Sequence, residues 1–217
     1  MTASPVGPPS ADEAALPLWR AAAAGGALAW TALVHAHPPR FFAVASVFCA
    51  AWLAVTWRAM GPWRRRAPAL SSRDAAWGAA QAVVLYAGAR AFLWAGCGGV
   101  TDALCGPLQA IYSTFGTGSL GTALALALLL VPAEELFWRG WVQGALRPWL
   151  GRWGAVAGSA ALASAVLLGF GEPLLALAAL PTSLAWGALA EWRRTPLASW
   201  VSHALWDVLL VVVWPAT

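Results

Sequence analysis

Long apolar stretches alternate with short polar ones along the whole chain, and each stretch approaches the length of a membrane helix. A helix that crosses a bilayer needs about 20 mostly apolar residues. The pattern predicts seven such helices, at Leu18–Val34, Phe41–Trp57, Ala75–Trp94, Leu120–Leu146, Ala155–Phe170, Leu174–Leu189 and Leu197–Trp214. The segment Pro107–Gly121 is too polar and glycine-rich for a span, so we expect a short re-entrant or interfacial piece there. The sequence therefore predicts an all-α polytopic transmembrane bundle that forms a single domain over residues 1–217.

The composition favours a membrane protein over a soluble one. Of the 217 residues, 60% are hydrophobic and 10% are charged, with a mean hydropathy of +0.66; a soluble domain is about 25% charged. The net charge of +4 comes from arginines near the ends of apolar segments. No basic stripe with interleaved aromatic residues stands outside these segments, which argues against a nucleic-acid partner. The chain has no lysine and no asparagine but much alanine and glycine, a bias typical of GC-rich bacterial genes.

The arginines predict how the helices are oriented in the membrane. Short loops that are rich in arginine and lysine stay on the cytoplasmic side. Clusters of arginine follow the second, fourth and sixth predicted helices, at Arg58, Arg64, Arg65, Arg66, Arg73, Arg147, Arg152, Arg193 and Arg194. Alternating spans place all these clusters on one side. We therefore expect an integral protein of a bacterial inner membrane, in contact with the lipid bilayer and with its N-terminus in the cytoplasm.

Five ionisable residues interrupt the apolar pattern of two predicted helices. Glu134, Glu135 and Arg139 lie in the fourth helix, and His203 and Asp207 lie in the last. From the helical rise, Glu134 and His203 are about 20 Å and about 14 Å from the arginines at the cytoplasmic ends of their helices. Charged side chains at such depth are costly and indicate a functional site. We expect the two groups to lie near a common level and to open towards the cytoplasmic half.

The spacing within each group predicts which side chains meet. Glu135 and Arg139 are four residues apart with the acid first, the favourable order for an ion pair on a helix. Glu134 is rotated by about 100° and stays free to act as a base. His203 and Asp207 also share one face, so the carboxylate can hold the imidazole tautomer. The set suits water activation for hydrolysis or a metal site of glutamate and histidine ligands. Each pair alone is also compatible with a structural role.

Both groups match motifs of a known family. The run Glu134-Glu135-Leu136-Phe137-Trp138-Arg139 fits Glu-Glu-x-x-x-Arg, and the run His203-Ala204-Leu205-Trp206-Asp207 fits His-x-x-x-Asn or Asp. Over about Leu120–Trp214, the chain resembles the CAAX-protease and bacteriocin-processing family of intramembrane endopeptidases, also called the CPBP or Abi family.

The resemblance implies a glutamic-type or metal-dependent endopeptidase that cleaves a membrane-anchored or lipid-modified protein or peptide. Glu134 would activate water, and Glu135 would pair with Arg139. His203 and Asp207 would position the water or stabilise the oxyanion, which Asp207 could do only when protonated. No cofactor is certain; if a divalent metal such as zinc takes part, Glu134 and His203 are its candidate ligands.

One motif of that family is missing from the sequence. The family usually carries Phe-x-x-x-His on the helix after the glutamates, but no histidine lies between His37 and His203. Glu172 stands near the expected place, although the predicted topology puts it at the outer face. The departure leaves open a catalytically inactive scaffold or immunity-type protein of the same fold. A proton-coupled carrier is a further alternative, but it would need paired broken helices, and we expect proline to interrupt only one helix, at Pro132.

The cysteines leave the redox compartment open. Cys97 and Cys105 flank a short glycine-rich loop, whereas Cys49 lies in the middle of a predicted helix. The pair could form a disulfide if the loop faces an oxidising compartment. The chain has no CxxC motif and no zinc-ribbon spacing.

Overall fold

The computed structural model of the protein describes residues 15–60, 71–115, 118–168 and 173–213. Within these ranges the chain is helical and contains no strand, which confirms the predicted all-α bundle. The helices are α1 Leu16–Ala36, α2 Phe41–Ala59, α3 Ser72–Trp94, α4 Cys105–Phe115, α5 Leu120–Leu168, α6 Pro173–Arg193 and α7 Pro196–Val213. The predicted helix ends at Phe170 and Trp214, the arginines at 64–66 and the candidate Glu172 lie outside the described residues.

Four helices, α2, α5, α6 and α7, are long and apolar enough to cross a membrane. Helix α5 has 49 residues and contains two predicted segments, which the sequence separates because Arg147 and Arg152 interrupt the apolar run. A kink at Gly151, with φ of 69° and ψ of −176°, divides α5 into a first arm and a second arm. Positive φ values favour glycine because it lacks a Cβ atom. Ser159 of the second arm donates to the carbonyl oxygen of Trp138 in the first arm at 3.0 Å, so the two arms are separate helices that pack side by side, in agreement with the two segments predicted from the sequence.

Polar caps fix where the two helices that carry the ionisable residues begin. Ser119 and Thr122 form a reciprocal capping box at the start of α5. At the start of α7, Thr195 Oγ1 accepts a hydrogen bond of 3.1 Å from the backbone N–H of Leu197, and Pro196 occupies the first turn. Such caps satisfy N–H groups that the first turn of a helix leaves unpaired. The caps thus fix the first residues of α5 and α7, and with them the position of each candidate site residue along its helix.

The first arm of α5 widens on both sides of the two glutamates. Leu126–Leu130 and Leu136–Val142 form π-helical turns. Pro132, between them, has no N–H to give to the preceding turn, and π-helical turns often accompany functional sites. The helix is thus widened rather than broken at Pro132. Pro181 lies inside α6, so the expectation that proline interrupts only one helix is wrong.

Helix α7 is held against α3, α5 and α6. Gly78 of α3 faces α7 so closely that a Cβ atom there would meet Ala198 O and Val201 Cβ. The second arm of α5 packs along α6, and α1 packs along α2. These contacts place the inner face of α7, with His203 and Asp207, opposite the first arm of α5.

A disulfide links the end of α3 to the start of α4. It joins Cys97 and Cys105, whose Cα atoms are 4.8 Å apart, and so answers a question that the sequence left open. Helix α4 has 11 residues, which is too short to span a bilayer, as expected for the segment Pro107–Gly121. Cys49 is buried as a thiol in α2.

Candidate active site

Glu135 is the centre of a buried ionic cluster. Its side chain is 1% exposed, and its Oε1 atom lies 3.0 Å from a guanidinium nitrogen of Arg139 and 2.8 Å from Nδ1 of His203. A carboxylate paired with a guanidinium only accepts hydrogen bonds, so His203 Nδ1 is the donor. Glu135 therefore joins α5 to α7 and leaves the other ring nitrogen, Nε2, facing away from it.

That second ring nitrogen of His203 faces two further carboxylates. His203 Nε2 lies 4.0 Å from Glu134 Oε2 and 3.6 Å from Asp207 Oδ2. The other oxygen of Glu134, Oε1, accepts a hydrogen bond of 2.9 Å from the indole N–H of Trp30 in α1. The Glu134 side chain is 23% exposed. The structure thus brings all five predicted residues together, with one glutamate inside the ionic network and the other at its edge.

Helix α6 covers the cluster with an aromatic ring. Trp186 stacks on the imidazole of His203 at 3.7 Å between ring centroids, and its Nε1 donates to Ser202 Oγ at 3.1 Å. The guanidinium of Arg139 lies 5.4 Å from the same ring and donates to the carbonyl oxygen of Ser183 at 3.3 Å. Stacking and cation–π contacts of this kind hold the imidazole and the guanidinium against the indole ring. Trp186 therefore fixes the orientation of His203 and Arg139 together.

A cavity of about 820 Å³ reaches the cluster at Glu134 and Asp207. Every helix contributes to its walls, which are mainly apolar and include Val34, Phe41, Val84, Leu108, Leu126, Leu177 and Leu210. On α5 the lining residues are Leu126, Leu130 and Glu134, so Glu134 lies furthest from the start of that helix. The carboxylates thus stand at the inner end of an apolar chamber.

This large cavity extends away from the arginine-rich ends of the helices. Its lining residues lie in the second halves of α1 and α3, towards the start of α5 and α6, and towards the end of α7. The arginine clusters lie at the opposite ends, so the expectation that the site opens towards the arginine-rich half is wrong for Glu134. A smaller cavity of about 400 Å³ between α2, α5 and α7 reaches Glu135 on the arginine-rich side.

Few groups that could ligate a metal ion lie beside Nε2 of His203. Among residues 15–60, 71–115, 118–168 and 173–213, no group of three or more histidine, cysteine, aspartate and glutamate side chains is arranged to hold one. Nδ1 of His203 is hydrogen-bonded to Glu135. The other ring nitrogen, Nε2, lies 4.0 Å from a carboxylate oxygen of Glu134 and 3.6 Å from one of Asp207.

Sequence reasoning missed two residues that contact the cluster. The predicted site contains no tryptophan, yet Trp30 donates to Glu134 and Trp186 stacks on His203. Both belong to helices other than those that carry the motifs, so no spacing within the sequence connects them to the site. The one available signal was the high tryptophan content, 16 of 217 residues.

The part of the chain that carries both motifs is similar to a known protein family. Residues 116–209 match the family model described as type II CAAX prenyl endopeptidase, Rce1-like. No curated protein and no solved structure matches the chain. The match includes Glu134, Glu135, Arg139, His203 and Asp207, and the family is one of proteases. The resemblance identified from the two motifs is thereby confirmed over residues 116–209, the part of this integral membrane protein that is similar to Rce1-like type II CAAX prenyl endopeptidases.

Proposed function

We propose that the protein is an intramembrane endopeptidase in which Glu134 activates water to hydrolyse a peptide bond of a membrane-anchored or lipid-modified protein or peptide. The observation that carries the proposal is the setting of Glu134. One of its oxygens is held by Trp30, and the other faces His203 at the inner end of the large cavity. The chamber offers an apolar lining for a lipid or an apolar peptide segment, and the carboxylate offers a base.

The gap between Glu134 and His203 suits one reactant water molecule. With hydrogen bonds of about 2.8 Å to each partner, a water that bridges the two atoms has an angle of about 90° at its oxygen; the atoms are 4.0 Å apart. Glu134 takes a proton from this water as the water oxygen attacks the carbonyl carbon. When the carbon–nitrogen bond breaks, Glu134 returns the proton to the leaving amine. Acid–base catalysis of this kind contributes about 10²–10⁴-fold to the rate.

His203 stabilises the negative charge that develops on the carbonyl oxygen. When both ring nitrogens carry protons, Nδ1 donates to Glu135 and Nε2 donates to the oxyanion. A preorganised donor at this position contributes about 10²–10³-fold. Asp207, at 3.6 Å, keeps Nε2 directed towards the cavity. Glu135 and Arg139 act on the reaction only through His203, because neither contacts the large cavity.

The proposal includes a direction of approach. The N-terminus and the arginine-rich helix ends are cytoplasmic, and the apolar part of the substrate enters from the opposite leaflet of a bacterial inner membrane. Two observations support this orientation: the arginines obey the positive-inside pattern, and the disulfide lies at the same end as the cavity. Disulfides persist in oxidising compartments such as the periplasm.

Comparative membrane proteomics tests the proposal. Cells would express the wild type, Glu134→Gln or His203→Ala at equal levels, with Glu191→Gln as the matched control. Glu191 is also a buried glutamate, but it pairs with Arg147 and Arg152 away from the cluster. We expect the same membrane protein to accumulate uncleaved in both site variants and not in the control. If no membrane protein differs between the wild type and Glu134→Gln, the proposal is wrong.

A second candidate is an inactive scaffold or immunity-type protein of the same fold, which the missing histidine of the middle motif favours. This candidate predicts that Glu134→Gln complements a deletion phenotype fully, because a scaffold needs the fold and not the base. The endopeptidase predicts that complementation fails while the amount of protein in the membrane stays the same.

A further inference from the structure

Trp30 reaches the cluster from outside the residues that match the family. It lies in α1, whereas the match begins at residue 116. Its indole N–H donates to Glu134 Oε1 at 2.9 Å. An indole nitrogen can only donate, so this contact always presents a hydrogen to the carboxylate. Glu134 Oε1 is thereby occupied, and Oε2 is the oxygen left for other partners.

The ring of Trp30 is itself held firmly. It is 7% exposed and stacks on Phe48 of α2 at 6.0 Å between centroids, with Phe41 tilted against it at 6.2 Å. Trp30 and Glu134 both border the large cavity, but the Glu134 side chain is 23% exposed and, if unrestrained, has room to turn into it. The rigid partner in this hydrogen bond is the tryptophan, and the adaptable one is the glutamate.

We infer that Trp30 is a positioning residue for the proposed hydrolysis: its N–H fixes one oxygen of Glu134 and so directs the other towards the reactant water and His203. The inference rests on the proposed function and adds α1 to the reaction centre. It follows that loss of this one hydrogen lowers the turnover number but leaves substrate binding in the cavity intact. Hydrogen bonds to charged groups of this kind correspond to about 10-fold to 100-fold in rate.

The sharpest variant replaces Trp30 by 3-benzothienylalanine, in which sulfur stands in place of the indole N–H and the ring keeps its shape. Trp52 provides the matched control. It is 3% exposed, packs against the same Phe48, and donates its N–H to the backbone carbonyl of Ala23 at 3.0 Å. The same isostere at Trp52 thus removes a similar hydrogen bond that does not involve Glu134. Trp30→Phe serves as a second variant with natural chemistry.

Cleavage kinetics would use the membrane protein that accumulates in the Glu134→Gln cells as substrate. We expect the Trp30 isostere to lower kcat by about 10-fold or more with KM within about 2-fold, and the Trp52 isostere to change neither. Equal kcat for both isosteres would overturn the inference while the proposed function stands. If the wild type cleaves no membrane protein, the proposed function fails, and the catalytic part of the inference fails with it.

A spectroscopic measurement tests the contact without any substrate. The indole ¹H–¹⁵N resonance of Trp30, assigned by its loss in Trp30→Phe, should move upfield in Glu134→Gln because its acceptor loses its charge. It should stay in place in Glu191→Gln. An unchanged Trp30 resonance in Glu134→Gln would show that the indole does not bind this carboxylate, and the inference would be withdrawn.

Discussion

Replacing Glu135 by glutamine should destabilise the folded protein, whereas the same replacement at Glu134 should leave its stability nearly unchanged. Glu135 pairs with Arg139 while the two side chains are only 1% and 3% exposed. Removing one partner of such a pair leaves a buried charge without compensation and costs about 3–5 kcal/mol. A glutamine at Glu134 keeps an oxygen for the N–H of Trp30, so the cost there is about 1 kcal/mol or less.

The assay is thermal unfolding of each purified variant in the same detergent, monitored by circular dichroism. Cleavage by each variant is measured in parallel. For a chain of this size, 1 kcal/mol corresponds to roughly 2–4 °C in Tm. Glu135→Gln should therefore melt roughly 6–20 °C below the wild type, and Glu134→Gln within a few degrees of it. Both variants should be inactive. Equal melting temperatures for the two variants would refute the assignment of Glu135 to the buried ion pair.

A double replacement separates stability from activity at the same position. Exchanging a buried ion pair for apolar residues of similar volume is often neutral or stabilising. Glu135→Leu combined with Arg139→Met should thus recover most of the stability lost in the single variants. It should remain inactive, because Nδ1 of His203 no longer has its acceptor. A double variant as unstable as Glu135→Gln would show that these residues do not act on stability as a pair.

Three further outcomes are expected. Asp207→Asn should keep cleavage within about 10-fold of the wild type, because an amide oxygen still accepts from His203, while Asp207→Ala should lose more; equal losses would contradict this role. Chelation with 1,10-phenanthroline should leave cleavage unchanged, because the proposed hydrolysis uses Glu134, His203 and water; inhibition that zinc reverses would contradict it. In unreduced membranes, a maleimide should label neither Cys97 nor Cys105; labelling before reduction would contradict the disulfide. Replacing both cysteines by serine should lower the free energy of unfolding by about 2.5 kcal/mol, because the loop is no longer closed in the unfolded chain.

The sequence predicted contacts within a helix and missed contacts between helices. The pairs Glu135–Arg139 and His203–Asp207 follow from the period of one helix, and the structure contains both. The bond between Glu135 and His203 joins residues 68 positions apart. It depends on how closely α7 approaches its neighbours, which the glycine at Gly78 permits. No periodicity in either helix encodes that approach.

The direction of the cavity was mispredicted for a similar reason. Depth along α5 was estimated from the helical rise, but depth alone does not tell which end of a bundle is hollow. The position of the cavity depends on the volume of the side chains at each depth in the bundle. It also depends on α4, the short helix that adds Leu108 to the cavity wall. The reversal at Gly151, in contrast, lies between two apolar segments that the sequence predicted as separate helices.

The two adjacent glutamates differ because Glu135 is held in a buried ion pair, whereas Glu134 borders the large cavity. A rotation of about 100° between consecutive residues places Glu135 against Arg139 and His203, where an isolated charge would be costly and a paired one is stable. It places Glu134 at the cavity, where a carboxylate keeps an oxygen for a reactant. Glu134 then needs a partner that restrains it without neutralising it, and a neutral donor such as the indole of Trp30 meets that requirement. The site is therefore assembled from α1, α5, α6 and α7, and a change in how α1 packs on α2 should alter catalysis even though neither α1 nor α2 carries a motif.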